Sequence, residues 1–192
     1  KAMEPPILLV GYFQSWKYAA QPDVRLALLE LVARCNDPWI QNMKELAEKE
    51  KPLVVHVRLG DYLHDDSFGI PGPKYYLDAL REQIAESGFE RVWVFSDEPN
   101  HAIERLPLEL QRLQPRIIDA PSSVDPAGVL EVMRSGSSYI LTNSTFGYWA
   151  ALLSGCAENR VSIPEPWFSG MTPFTDFAPP GWRSYAGTHD SQ

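Results

Sequence analysis

Between residues 53 and 163 the chain alternates between short apolar runs and segments of helical spacing, and few architectures accept that rhythm. The run that starts at Leu53-Val54-Val55 and carries His56 and Arg58, then Arg91–Phe95, Arg116–Asp119, Ser138–Thr142 and Arg160–Pro164, read as strands, the last of these closing the series. Lys74–Ser87 carries Tyr76, Leu77, Leu80 and Ile84 at helical intervals, with Gly88 placed as its stop. Asn100 to about Leu106 reads as a helix limited by Pro107. Asp125–Met133 opens with a capping carboxylate and a proline, and Tyr148–Leu153 is an apolar helix halted by Gly155. Strands that are apolar throughout are buried on both faces. Strand–helix repetition then predicts an α/β fold: one parallel sheet with helices on both sides.

Ahead of this block stand a strand candidate, Ile7–Val10, and two helix candidates, one opening at Pro22-Asp23 and one over Asp37–Lys49. Behind it the segment from Glu165, rich in Trp, Phe, Pro and Gly, reads as an extended wrap. The expected division is a lead-in over 1–50, a ligand-binding domain over 51–170 and a tail over 171–192.

Chemistry concentrates at strand ends. Leu53-Val54-Val55 runs straight into His56, Arg58, Gly60 and Asp61. His56 and Arg58 share strand parity, so both are expected on one face as a cationic pair, while Leu59 faces the opposite layer. Gly60 is expected to let the backbone turn out of the strand. Ligands of open α/β sheets bind outside the carboxyl ends of the strands. Arg58 offers a planar fork suited to phosphate oxygens. Asp97 closes the next strand. Asn143, Ser144, Thr145 and Phe146 open a helix whose N-terminal N–H groups favour an anion, although taken alone they read as an ordinary cap. Asn143-Ser144-Thr145 also fits a glycosylation sequon, but a strand–helix junction facing a cleft is a poor acceptor.

A formal charge of −8 argues against a general nucleic-acid or anionic-membrane surface. No apolar run approaches a membrane span, and no signal-peptide pattern opens the chain. Cys35 and Cys156 are far apart and are expected as buried thiols in a reducing compartment. Location is expected to be cytoplasmic, or membrane-associated through a part outside this chain. The opening Lys1-Ala2-Met3 suggests that the natural protein extends further upstream. The chain contains no glycine-rich dinucleotide fingerprint, no Gly-Lys-Ser/Thr phosphate loop, no nucleophile elbow and no His-Glu-x-x-His. Asp65 and Asp66 are adjacent, unlike the Asp-x-Asp of many metal-dependent glycosyltransferases, so no divalent metal site is expected.

These residues resemble a known family. His56-Val57-Arg58-Leu59-Gly60-Asp61-Tyr62 is similar to the His-x-Arg-Arg-Gly-Asp-Tyr motif of the alpha-1,2-fucosyltransferases. Tyr75-Tyr76-Leu77, Phe95-Ser96-Asp97-Glu98 and Thr145-Phe146-Gly147-Tyr148-Trp149-Ala150-Ala151 follow in that family's order. Gly11–Ser15 and Pro164–Phe168 match as well. The resemblance implies the Rossmann-like donor half of a GT-B glycosyltransferase. It implies GDP-fucose as donor substrate, inversion, no metal or other cofactor, and transfer to a galactoside. Arg58 would neutralise the diphosphate, and Asp61, grouped with it as catalytic, would brace the motif. His56, Asp97, Asn143, Ser144, Thr145 and Phe146 would contact the nucleotide sugar. The partners implied are a nucleotide sugar and a glycan acceptor, without nucleic acid, and with an acceptor half or oligomer partner supplying the rest.

Three departures accompany the resemblance. Leu59 replaces the motif's second arginine, Val129 stands where the family carries an acidic residue, and the N-terminal Gly-Gly-Leu-Gly-Asn-Gln block is absent. Asp125 lies one turn before Val129 and is the candidate substitute. The alternatives are a nucleotide-sugar-binding module without activity, a related transferase with another GDP-sugar or a protein acceptor, and an unrelated α/β domain. Asp65 and Asp66 are candidates for the catalytic base by proximity alone.

Overall fold

The first central strand, β1 (Leu53–Val57), is buried at all five positions. Its odd residues, Leu53, Val55 and Val57, pack with Tyr75, Tyr76, Ala79 and Leu80 of the helix α4 (Pro73–Glu86) on one side of the sheet. Its even residue Val54 joins an opposite layer with Val132 and Met133 of α7 (Pro126–Met133) and Tyr148 and Ala150 of α8 (Thr145–Leu153). Two-faced burial of this kind is what a parallel strand requires.

The computed structural model describes residues 15–33, 37–65, 67–86, 88–169 and 176–187. The expected strand Ile7–Val10, most of the Gly11–Ser15 turn, Cys35 and Asp66 lie outside them. Within the described residues β2 (Val92–Ser96), β3 (Arg116–Ile117), β4 (Ser138–Ile140), β5 (Val161–Glu165) and β6 (Arg183–Ala186) complete one sheet in the order β3-β2-β1-β4-β5-β6. Every neighbouring pair is parallel. The expected parallel α/β sheet with helices around it is borne out.

The lead-in helices are α1 (Trp16–Ala19), α2 (Pro22–Ala33) and α3 (Pro38–Glu50). Asp37 caps α3 through a carboxylate that accepts from the Trp39 N–H at 2.7 Å. Asp125 caps α7 in the same way, accepting from the Gly128 N–H at 2.9 Å. Pro107 does not simply end α5 (Pro99–Arg105): it also forms the N-cap of a further short helix, α6 (Leu108–Arg112). Proline fits a helix start because its missing N–H would be unsatisfied there anyway. Cys156 is half-buried rather than buried, with Sγ 3.1 Å from the Ser154 hydroxyl.

The sheet does not end at Pro164. β6 pairs along β5, from Ser162 opposite Arg183 to Glu165 opposite Ala186, so part of the expected tail is a strand. Arg-Ser-Tyr-Ala carries no apolar run because an edge strand has little to bury. Polar contacts hold it instead: the Arg183 guanidinium meets Glu82 and, at 2.6 Å, Glu86, and the Tyr185 hydroxyl donates to Glu82, both acids lying on α4. Ahead of β6, Phe177 packs on the Tyr148 ring and accepts its hydroxyl at the backbone carbonyl, 2.5 Å away.

Leu59, just beyond β1, is fully enclosed in the α4 layer. Leu59→Ala is expected to lower unfolding stability by about 2–5 kcal/mol, read from denaturant melts. An unchanged midpoint would contradict this placement.

Candidate functional site

The chain builds outward from β1 to β3 and then returns to lay β4 against the other side of β1. The strand order therefore reverses between β1 and β4, and the crevice beyond their carboxyl ends is where open α/β sheets hold ligands. Two of the predicted elements exit there side by side: Arg58 after β1, and Asn143 to Phe146 after β4.

Arg58 is fixed by two carboxylates. Its Nε and Nη2 donate to Asp61 Oδ1 at 3.1 and 2.8 Å, and its Nη1 lies 3.2 Å from Asp97 Oδ2. Asp97 Oδ1 also accepts from the Leu59 N–H at 2.9 Å. Asp97 thus ties the end of β2 to the backbone beyond β1. Gly60 makes that possible: a Cβ there would stand 2.3 Å from Asp97 Oδ2. The glycine is needed for close approach of a carboxylate, rather than for the turn expected from the sequence. The guanidinium carbon lies 5.6 Å from the centre of the Tyr62 ring, within cation–π range.

His56 is 5% exposed, and burial pushes its pKa down to about 4, with the Arg58 charge adding to that and Asp97 opposing it. It is a neutral imidazole at ordinary pH, which corrects the expected cationic pair: a buried ring cannot keep a proton beside a guanidinium. Nδ1 lies 3.3 Å from Thr142 Oγ1, and a Cβ on Gly147 would come within 2.6 Å of it. Glycine at 147 therefore lets the first turn of α8 close on the end of β1.

Asn143 is fully buried, and its Nδ2 donates to the carbonyls of Phe68 and Gly69 at 2.7 and 2.8 Å. That committed amide is no glycosylation acceptor. The Tyr62 hydroxyl donates to the Asn143 carbonyl, and the Tyr62 ring stacks on Phe68 with centroids 4.3 Å apart. Ser144 is buried at the N-cap of α8 but makes no capping hydrogen bond with its side chain, and Thr145 begins the helix half-buried. The first-turn N–H groups are thus not claimed by their own cap residue.

Asp65 is exposed, and the Ser67 hydroxyl and backbone N–H hold its carboxyl below the usual range, which makes it a weak base. Among the described residues no group of His, Cys, Asp and Glu side chains could hold a metal ion. None of their helices is long and apolar enough to cross a membrane.

A cleft of about 430 Å³ opens from this point across the ends of β2 and β3. His56, Arg58, Asp97 and Phe146 line one end of it; Asn143, Ser144, Thr145 and Asp61 do not line it. The loop after β3, with Asp119 and Ser122, forms the other end, together with Val129 of α7. Thr142, Tyr62 and this loop received no role from the sequence. Asp119 was legible only as one more acid closing a strand.

The model of glycosyl transferase family 11 matches residues 6–169. The chain belongs to glycosyl transferase family 11. The resemblance drawn from the motifs is borne out at that level. The O-antigen biosynthesis glycosyltransferase WbnK of Escherichia coli is 28% identical over 147 residues, covering 73% of this chain and 47% of that protein. The chain thus spans about half the length of this curated relative.

His56 gives the family 11 chain a defined response to acid. Its pKa is about 4 in the fold against an ordinary 6.5, so the unfolded state takes up the proton first. The stability linked to neutral His56 is complete above about pH 6.5 and is lost as pH falls toward 4. That loss amounts to roughly 3 kcal/mol. Denaturant melts between pH 7 and 4 are expected to show this slope in the parent and a shallower one in His56→Gln. Equal slopes would show that the ring does not titrate as described.

Proposed function

We propose that the chain is the donor-binding half of a metal-independent, inverting fucosyltransferase of GT-B architecture. It binds GDP-fucose and, with an acceptor-binding part, serves alpha-1,2 transfer to a galactoside. The observation that carries this reading is Arg58, held by Asp97 at the strand-order reversal and lining one cleft with Phe146 of the first turn of α8. Family membership adds the class of donor.

In this reading the diphosphate lies between the Arg58 fork and the N–H groups of the first turn of α8. As the bond from the sugar carbon to phosphate oxygen breaks, GDP leaves with the electron pair and gains negative charge. A guanidinium already oriented by Asp97 and a helix N-terminus stabilise that charge without rearrangement. Asp61 is exposed, and solvent-screened ion pairs hold little free energy, so the phosphate oxygens can take its place on the fork. Neutral His56 contributes a hydrogen-bonding edge rather than charge, set against Thr142. Phe146 supplies apolar wall to the cleft. No cofactor is needed, since the nucleotide sugar is itself consumed.

Calorimetry with GDP, GDP-fucose, GDP-mannose and UDP-sugars tests the donor class, and binding by GDP-fucose is expected to persist in excess chelator. Loss of affinity in EDTA, restored by manganese, would overturn the metal-independent reading; preference for another GDP-sugar would reassign the donor. Arg58→Ala is expected to weaken GDP binding about ten- to a hundred-fold with an unchanged melt, because charge-assisted hydrogen bonds contribute roughly 1.5–3 kcal/mol. Arg58→Lys should not restore it, since an ammonium lacks the planar fork. Parent-like binding by Arg58→Ala would remove the phosphate ligand on which the reading stands.

A further inference from the structure

The donor reading leaves the selection of the base unassigned. The helix position expected to carry an acid is Val129, an apolar residue in the cleft wall. The nearby Asp125 is committed to its own helix, accepting from the Gly128 N–H, and does not line the cleft.

Two carboxylates do line it. Asp97 is engaged by the Leu59 N–H and Arg58. Asp119 is exposed and makes no hydrogen bond or ion pair with any described residue. It follows β3, two strands from β1, so neighbouring-strand spacing puts it about 10 Å from the phosphate end. That distance is comparable to the reach of a nucleoside from its diphosphate to the far edge of its base. Phe95, Ile118 and Val124 also line it, and with Val129 and Phe146 they give the cleft apolar walls. A slot with apolar walls and a free carboxylate at its mouth suits a flat heterocycle that presents two adjacent N–H donors.

We propose that Asp119 is the residue that reads the base, accepting the N1–H and exocyclic 2-amino hydrogens of guanine on its two carboxylate oxygens. The assignment rests on the donor reading and deepens it. Adenine presents an acceptor, N1, where guanine presents a donor, so the same carboxylate repels it. Inosine lacks the 2-amino group and keeps one of the two bonds.

The experiment compares GDP, IDP and ADP by calorimetry on the full chain and on Asp119→Ala and Asp119→Asn, with melts on the same samples. Because Asp119 is exposed and supports nothing in the fold, both variants should melt as the parent does. The parent is expected to bind GDP about tenfold more tightly than IDP, and ADP more weakly still. Asp119→Ala should lose that GDP-over-IDP preference, while Asp119→Asn should weaken GDP and narrow the gap to ADP. GDP binding whose preference over IDP survives in both variants overturns the assignment and leaves the donor reading standing. A parent that binds no guanine nucleotide overturns both.

Discussion

Everything at the candidate site depends on one carboxylate. Asp97 leaves the end of β2 and reaches the Leu59 N–H and the Arg58 guanidinium on the neighbouring strand. A backbone N–H bonded to an ionised group is a strong, directional link. It ties the end of β2 to the backbone beyond β1, and a second contact from the same group orients the Arg58 guanidinium, whose planar fork suits a diphosphate. Glycine at 60 is the steric condition for this link. A chain of formal charge −8 offers an anion little general attraction, so the attraction has to be local and already oriented.

The other flank of the crevice is organised by a second close approach. Gly147 admits the His56 ring, and Thr142 meets its Nδ1. Asn143, adjacent in sequence, turns its amide the other way to hold the carbonyls of Phe68 and Gly69. With the Tyr62 hydroxyl on the Asn143 carbonyl, the loop after β1 and the junction after β4 hold each other reciprocally. Buried amides that satisfy backbone carbonyls fix a loop at low conformational freedom, and here they do so next to the helix start that would meet the ligand.

Much of the fold was legible because two-faced burial leaves an unambiguous mark. Leu53–Val55 and Val92–Phe95 are apolar without a break, and the caps Asp37 and Asp125 are written in residue type. β6 was not legible, since Arg183–Ala186 is held by salt bridges to α4, and α6 was hidden because a proline can start a helix as readily as end one. At the site, strand parity located His56 and Arg58, and residue type suggested phosphate. Parity says nothing about ionisation, which burial decides, so the charge of His56 was misread. Nor does local sequence show that Asp97 and Asp119 converge on one cleft: they lie on different strands, and only the sheet order brings them together.

β6 has a consequence for how molecules of this protein meet one another. A bare strand edge is a row of unpaired N–H and C=O groups that invites the edge of a second chain. β5 is buried along Val161–Pro164, so without a neighbour it would present such an edge with an apolar character. Four residues of unremarkable composition cover it: Arg183 and Tyr185 turn onto the acids of α4, and the exposed positions carry only the small Ser184 and Ala186. Residues remote from any chemistry therefore guard the sheet against stacking into aggregates, and shortening the chain before Arg183 would compromise its solubility before its ligand site.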